Sequence, residues 1–106
     1  DPKFLPVLQF DDLPVPNNFI MDRKTSFTYQ HGTLRVVELH LSGLTRAEDV
    51  ERFYATQMEI HGWRLERRLG EAYQRRLDFV KDQELCSLEI LVRQKMTLVN
   101  VHVARR

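Results

Sequence analysis

A chain of 106 residues is enough for one domain with one core and too short for two. Sixteen basic and fifteen acidic side chains leave a formal net charge of +1, so no one-signed field supports general nucleic-acid or membrane binding. A single cysteine, Cys86, excludes an intrachain disulfide and a thiolate metal cluster, and no apolar run approaches the roughly 20 residues of a membrane span. The chain opens on Asp1, which either removal of an export signal or a boundary within a longer protein explains.

Residues 1–20 hold all four prolines: Pro2, Pro6, Pro14 and Pro16. Proline lacks the N–H and favours extended backbone, so this stretch reads as an arm ahead of a domain over 21–106. Phe4, Leu5, Val7, Leu8, Phe10, Leu13, Val15, Phe19 and Ile20 make it too apolar for a solvated tail. The arm is expected to pack along the domain or onto a partner chain. From Lys24 the period becomes two, with Phe27 and Tyr29 alternating with Ser26, Thr28 and Gln30, and His31-Gly32 offers a turn. A second strand over 33–42 puts Val37, Leu39 and Leu41 on one face and Glu38 and His40 on the other.

The helix expected over 45–61 carries its own signals. Thr45 and Glu48 have capping-box spacing, and Glu48, Asp49 and Glu51 suit the positive end of the dipole. Ala47, Val50, Phe53, Tyr54 and Met58 form one apolar stripe, and Gly62 suits a left-handed stop. Four more strands follow: 63–69, 72–81 with Tyr73, Leu77 and Phe79 on one face, 84–93 with Cys86, Leu88, Ile90 and Val92, and 96–103 with Thr97, Val99, Val101 and Val103. Turns fall at Gly70-Glu71, Asp82-Gln83 and Gln94-Lys95. The expected fold is α+β: an antiparallel sheet of about six strands in the order arm-β-β-α-β-β-β-β, with the helix on one face. One arrangement sets the strand after the helix beside the first strand, which makes the crossover right-handed. Arg67 and Arg75 fall in the helix-facing register, where either snorkelling stems or a β-bulge accommodates them.

The face away from the helix collects Glu38, His40, Arg64, Glu66, Arg68, Gln74, Arg76, Asp78, Ser87, Glu89, Asn100 and His102. Its simplest reading is a solvated sheet face with cross-strand ion pairs. Val36, Leu91 and Leu98 interrupt it with apolar groups that could receive the arm or a partner. His40 and His102, with Glu38 or Asp78, are the candidates for a metal or acid–base site, although no HExxH-like pattern supports it. His31 and His61 have turn and helix-end roles. Cys86 reads as a core residue and not a nucleophile, and GxSxG, P-loop and GxGxxG patterns are absent. Arg64, Arg67, Arg68, Arg75 and Arg76 crowd two strands, as in a sheet that binds single-stranded nucleic acid, but Glu66, Glu71 and Asp78 dilute them and the aromatics fall in the core register.

Phe53-Tyr54, Gly62-Trp63 and Leu77-Asp78-Phe79-Val80-Lys81, preceded by Leu13-Pro14-Val15-Pro16, resemble small uncharacterised bacterial domains of exported-protein or lipoprotein type. The resemblance spans about residues 10–103, and its FY…GW…LxFxK motifs are packing motifs. It implies that Phe53, Tyr54 and Trp63, with Leu77 and Phe79, clamp the helix to the sheet, and that the location is periplasmic or membrane-anchored. It implies no catalytic residues, cofactor or metal.

The expected function is therefore a non-enzymatic, envelope-associated interaction or structural module whose partner is another protein or a second copy. The binding candidates are His40, Arg64, Arg68, Arg76 and His102 on the outer face. The alternatives are a small-ligand binder in a helix–sheet cleft lined by Tyr54, Met58 and Tyr73, and a binder of nucleic acid or anionic surfaces through the arginine strands.

Overall fold

The computed structural model describes residues 10–106, so the part of the predicted arm at positions 1–9 lies outside the described residues. The elements are β1 (Ile20–Met21), β2 (Phe27–His31), β3 (Leu34–Gly43), α1 (Ala47–Ile60), β4 (Arg64–Glu71), β5 (Gln74–Lys81), β6 (Glu84–Arg93) and β7 (Met96–Arg105). They form one antiparallel sheet in the order β1-β3-β7-β6-β5-β4, with β2 also paired to β3. The α+β class, the single helix and the antiparallel meander follow the sequence reading. The two-residue β1 is an addition, taken from the end of the expected arm.

Strand order departs from expectation. β4 does not lie beside the first strands; it forms the far edge and pairs with β5, while β7 returns to pair with β3. The cause is the run of short turns after the helix. Each forces its strand beside the previous one, so the meander walks back from the far edge and only its last strand reaches β3. The 14-residue helix, about 21 Å long at 1.5 Å per residue, carries the chain across the intervening strands.

The helix start is also different. The N-cap is Arg46, which makes no side-chain cap, so Thr45 lies one position too early and Glu48 one too early for a capping box. The Thr45 carbonyl instead accepts from Thr97 Oγ1 at 2.6 Å, which pins the helix entry to β7. The stop is as read. Gly62 has φ +92°, its N–H donates to the Glu59 carbonyl at 3.0 Å, and Trp63 N–H donates to Met58 at 3.0 Å. Those two bonds form a Schellman motif, and Met58 and Trp63 both enter the core as its apolar pair.

A second glycine answers to a close approach. Gly70 has φ +79°, and a Cβ there would stand 2.3 Å from the Gln74 carbonyl oxygen. It therefore lies within β4 instead of in a turn, and the reversal falls at Ala72-Tyr73. This shift leaves Tyr73 74% exposed, outside the core register expected for it. The first hairpin turn moves likewise by one residue, to Gly32-Thr33.

The buried stripe of α1 is Ala47, Val50, Tyr54 and Met58, with Phe53 half-buried. It packs on Leu77, Phe79, Cys86, Leu88 and Ile90, and the core continues through Val99, Val101 and Val103 to Val37, Leu39 and Leu41. Tyr54 is 1% exposed, and its hydroxyl is a buried polar atom with no hydrogen-bond partner among the described residues. An orphaned hydroxyl costs about 1–3 kcal/mol of desolvation, so Tyr54→Phe is expected to raise stability, by about 1 kcal/mol in a urea melt. A loss of stability would show that the hydroxyl has a partner after all.

A helix about 10 Å across cannot cover six strands spaced about 4.8 Å apart. Residues 10–19 close the remainder. Leu13 is buried in the core, and Phe10 and Phe19 pack against its edge. The arm thus occupies the helix side of the sheet, beside β3, and its described part does not reach Val36, Leu91 and Leu98 on the opposite face.

Candidate functional site

Two clusters of charge fasten the closed face. At one end, Arg35 lies in the core-facing register of β3 and is 11% exposed. It donates to both carboxylate oxygens of Asp12, at 3.1 and 2.8 Å, and to both of Glu84, each at 2.8 Å. Lys81 Nζ donates to Asp12 at 2.9 Å and to the His61 carbonyl at 3.0 Å, with its ammonium 5.3 Å from the Trp63 ring centroid. Trp63 Nε1 donates to the Asp12 backbone carbonyl at 2.9 Å. One arm residue thereby joins β3, β5 and the helix exit. Toward the other end, Glu51 on α1 accepts from Arg68 on β4 and from Arg75 on β5, the latter at 3.0 Å, tying helix to hairpin.

The open face is defined by register. Across β3, β7, β6, β5 and β4 one row reads Glu38, His102, Ser87, Asp78 and Arg67, continued on β2 by Phe27. The next row reads His40, Asn100, Glu89, Arg76 and Leu69. Glu38 sits between two imidazoles: His40 Nε2 lies 2.9 Å from one oxygen and His102 Nδ1 2.7 Å from the other. Thr25 Oγ1 is 2.8 Å from His40 Nδ1, and the His40 backbone N–H donates to Ser26 Oγ at 2.9 Å. On the other half of the face, Asp78 is 3% exposed and accepts from Arg76 at 2.9 Å and Arg67 at 3.2 Å. Ser87 Oγ accepts from Arg76 Nη2 at 3.3 Å.

His40, His102 and Arg76 thus share the open face as expected, and the two histidines meet through Glu38. Arg64 is also on this face, at the β4 edge opposite Val80, and far from them. Arg68 is not. A bulge between Leu65 and Arg67 reverses the alternation of β4, so Arg67 faces out to Asp78 and Arg68 turns to the helix side and Glu51. Arg75 keeps its helix-side register. Four of the five arginines are therefore spent in two Arg–carboxylate–Arg brackets, one on each face. The cleft expected among Tyr54, Met58 and Tyr73 does not form, because the first two are buried in the core and the third stands at an exposed turn. Among the described residues, no group of three or more His, Cys, Asp or Glu is set to hold a metal ion.

Asp12, Arg35 and Glu84 were not legible as a group. The available signal was Arg35 two residues before Val37 in the core-facing register, since a cation there requires an acid from elsewhere in the chain. Burial works to raise the Asp12 pKa, and the bonds from Arg35 and Lys81 outweigh it and hold the carboxyl below its usual range. For Asp78 burial is likewise outweighed by Arg76, Ser87 and Arg67, and Arg68 chiefly depresses Glu51. A depressed folded pKa gives stability that is present above the unfolded carboxylate value of about 4 and lost as pH falls through the folded value. Stability is therefore expected to hold from neutral pH down to about 4 and to fall below it. A chemical-denaturation midpoint that rises on acidification below pH 4 would contradict this assignment. Burial raises the Cys86 thiol far above the ordinary range, in keeping with a core role.

No family model, curated protein or solved structure matches this chain.

Proposed function

We propose that this domain is a non-enzymatic interaction module of the bacterial envelope that docks a protein partner on its open sheet face. The observation that carries the reading is the contrast between the two faces. Helix and arm close one, while the other lies open from β2 to β4, with Phe27 (51% exposed), Tyr29 (52%) and Leu69 (46%) around a belt of ion pairs. Aromatic groups around satisfied polar pairs match the composition of recognition surfaces. The envelope location rests on the resemblance of the FY…GW…LxFxK pattern.

The polar belt supports binding over catalysis. Glu38, His102 and Ser87 follow one another as an acid, an imidazole and a hydroxyl on three adjacent strands. Ser87 Oγ is engaged by Arg76 Nη2, and among the described residues no hydrogen bond joins it to His102, whose Nδ1 is held by Glu38. A photo-crosslinking residue placed at Tyr29 or Leu69 in the source cells is expected to trap one protein of defined mass, and the same residue at Ala55, on the exposed side of α1, to trap none. Adducts from Ala55 alone, or turnover by the purified domain that His40→Ala or His102→Ala abolishes, would overturn the proposal.

A further inference from the structure

Among the described residues the three most exposed large apolar side chains are Leu44 (77%), Tyr73 (74%) and Ile20 (73%), and all lie at one end of the sheet. Leu44 follows β3, Tyr73 precedes β5, and Ile20 begins β1 opposite Ser42. Met96, 38% exposed, opens β7 at the same end. Leu44 joins two surface hollows there, one shared with Ile20 and Met96 and the other with Tyr73, Arg46 and Lys95. Tight reversals hold the tips. Gln94 and Lys95 have φ +50° and +70°, and Val92 N–H donates to the Tyr73 carbonyl at 2.9 Å.

Beside these tips, two cations stand free of ion pairs among the described residues. Arg46 is compensated by Glu48 and Asp49. Lys95, in the turn, and Arg93, opposite Met96, have no acidic partner among the described residues. Glu71 is the acid at the end of β4.

We infer that this end is a docking surface for an anionic lipid bilayer, with Leu44, Tyr73, Ile20 and Met96 entering the headgroup boundary and Lys95 and Arg93 meeting lipid phosphates. Isolated apolar tips flanked by cations suit an interface that deforms around each of them. The surface is separate from the open sheet face, so this inference and the proposed docking of a protein there stand or fall independently.

The test is co-sedimentation of the full chain with vesicles of phosphatidylcholine containing about a third phosphatidylglycerol. Binding is expected at low salt, weakening as salt rises and on Lys95→Glu, and falling at least tenfold in Leu44→Asp/Tyr73→Asp. Both substituted side chains are about three-quarters exposed, and a thermal melt shows that the variant folds. No sedimentation with the anionic vesicles, equal sedimentation with pure phosphatidylcholine, or binding untouched by Leu44→Asp/Tyr73→Asp would each overturn the inference. So would a mass by light scattering that doubles with concentration and reverts in Leu44→Asp/Tyr73→Asp, which would assign the tips to a second copy.

Discussion

Trp63→Ala is expected to remove about 3–5 kcal/mol of stability, the range for deleting a large buried aromatic side chain. A domain of this size has about 5–15 kcal/mol in total, so the variant stands near the edge of folding at 25 °C. Trp63 is 2% exposed and does three things at once. Its ring fills the junction of helix and sheet, its backbone N–H completes the helix stop on Met58, and its indole N–H holds the arm through the Asp12 carbonyl. Trp63→Phe keeps the first two and loses the third, at a cost of about 1–2 kcal/mol including the volume change. Urea melts of the two variants separate these contributions. A loss below about 1 kcal/mol for Trp63→Ala would mean that the residue is not the clamp described.

Asp12→Ala has the second largest expected effect, about 2–3 kcal/mol. It leaves Arg35, 11% exposed, with Glu84 as its remaining acid and strips Lys81 of its carboxylate. Arg35 then keeps only the Glu84 half of its bracket and Lys81, 27% exposed, only the His61 carbonyl, so the loss falls below the roughly 3–5 kcal/mol of a fully broken buried pair. The consequence is local as well as global. With its ionic anchor gone, the arm keeps the Trp63 bond to the residue-12 backbone carbonyl and the apolar contacts around Leu13, so amide exchange at Leu13, whose N–H donates to the Phe10 carbonyl at 3.0 Å, is expected to accelerate more than exchange in β6 or β7. Equal acceleration everywhere would assign Asp12 to the core and not to the arm.

The local grammar of the chain is plain in its sequence. The alternation in 84–93 and 96–103 marks two strands that are buried on one side, and both turns beside them fall where they are read. The apolar stripe of α1 and the Gly62 stop are equally clear, because both depend on neighbours within a turn or two. What the sequence hides is long-range. A one-residue bulge after Leu65 exchanges the faces of Arg67 and Arg68, and nothing in RLERRLGE distinguishes the two registers. Gly70 reads as a turn residue, yet its bare backbone answers a carbonyl on the next strand. The partnership of Asp12 with Arg35 and Lys81 spans 23 and 69 residues and emerges only once β3 and β5 are placed. On the open face, the meeting of His40 and His102 required β3 and β7 to be neighbours, which strand order alone decides.

The most direct test of the division into one closed and one open face is thiol reactivity in a Cys86→Ala background. Leu39→Cys lies on the closed side, where the native residue is 4% exposed, and His102→Cys lies at the centre of the open face, where the native side chain is 50% exposed. A fast thiol reagent is expected to label His102→Cys at nearly the rate of a free cysteine and Leu39→Cys at least a hundredfold more slowly, with Asp12→Ala closing part of that gap. Equal rates at the two positions, or protection of His102→Cys, would contradict the account, because the surface proposed for a partner would then already be covered.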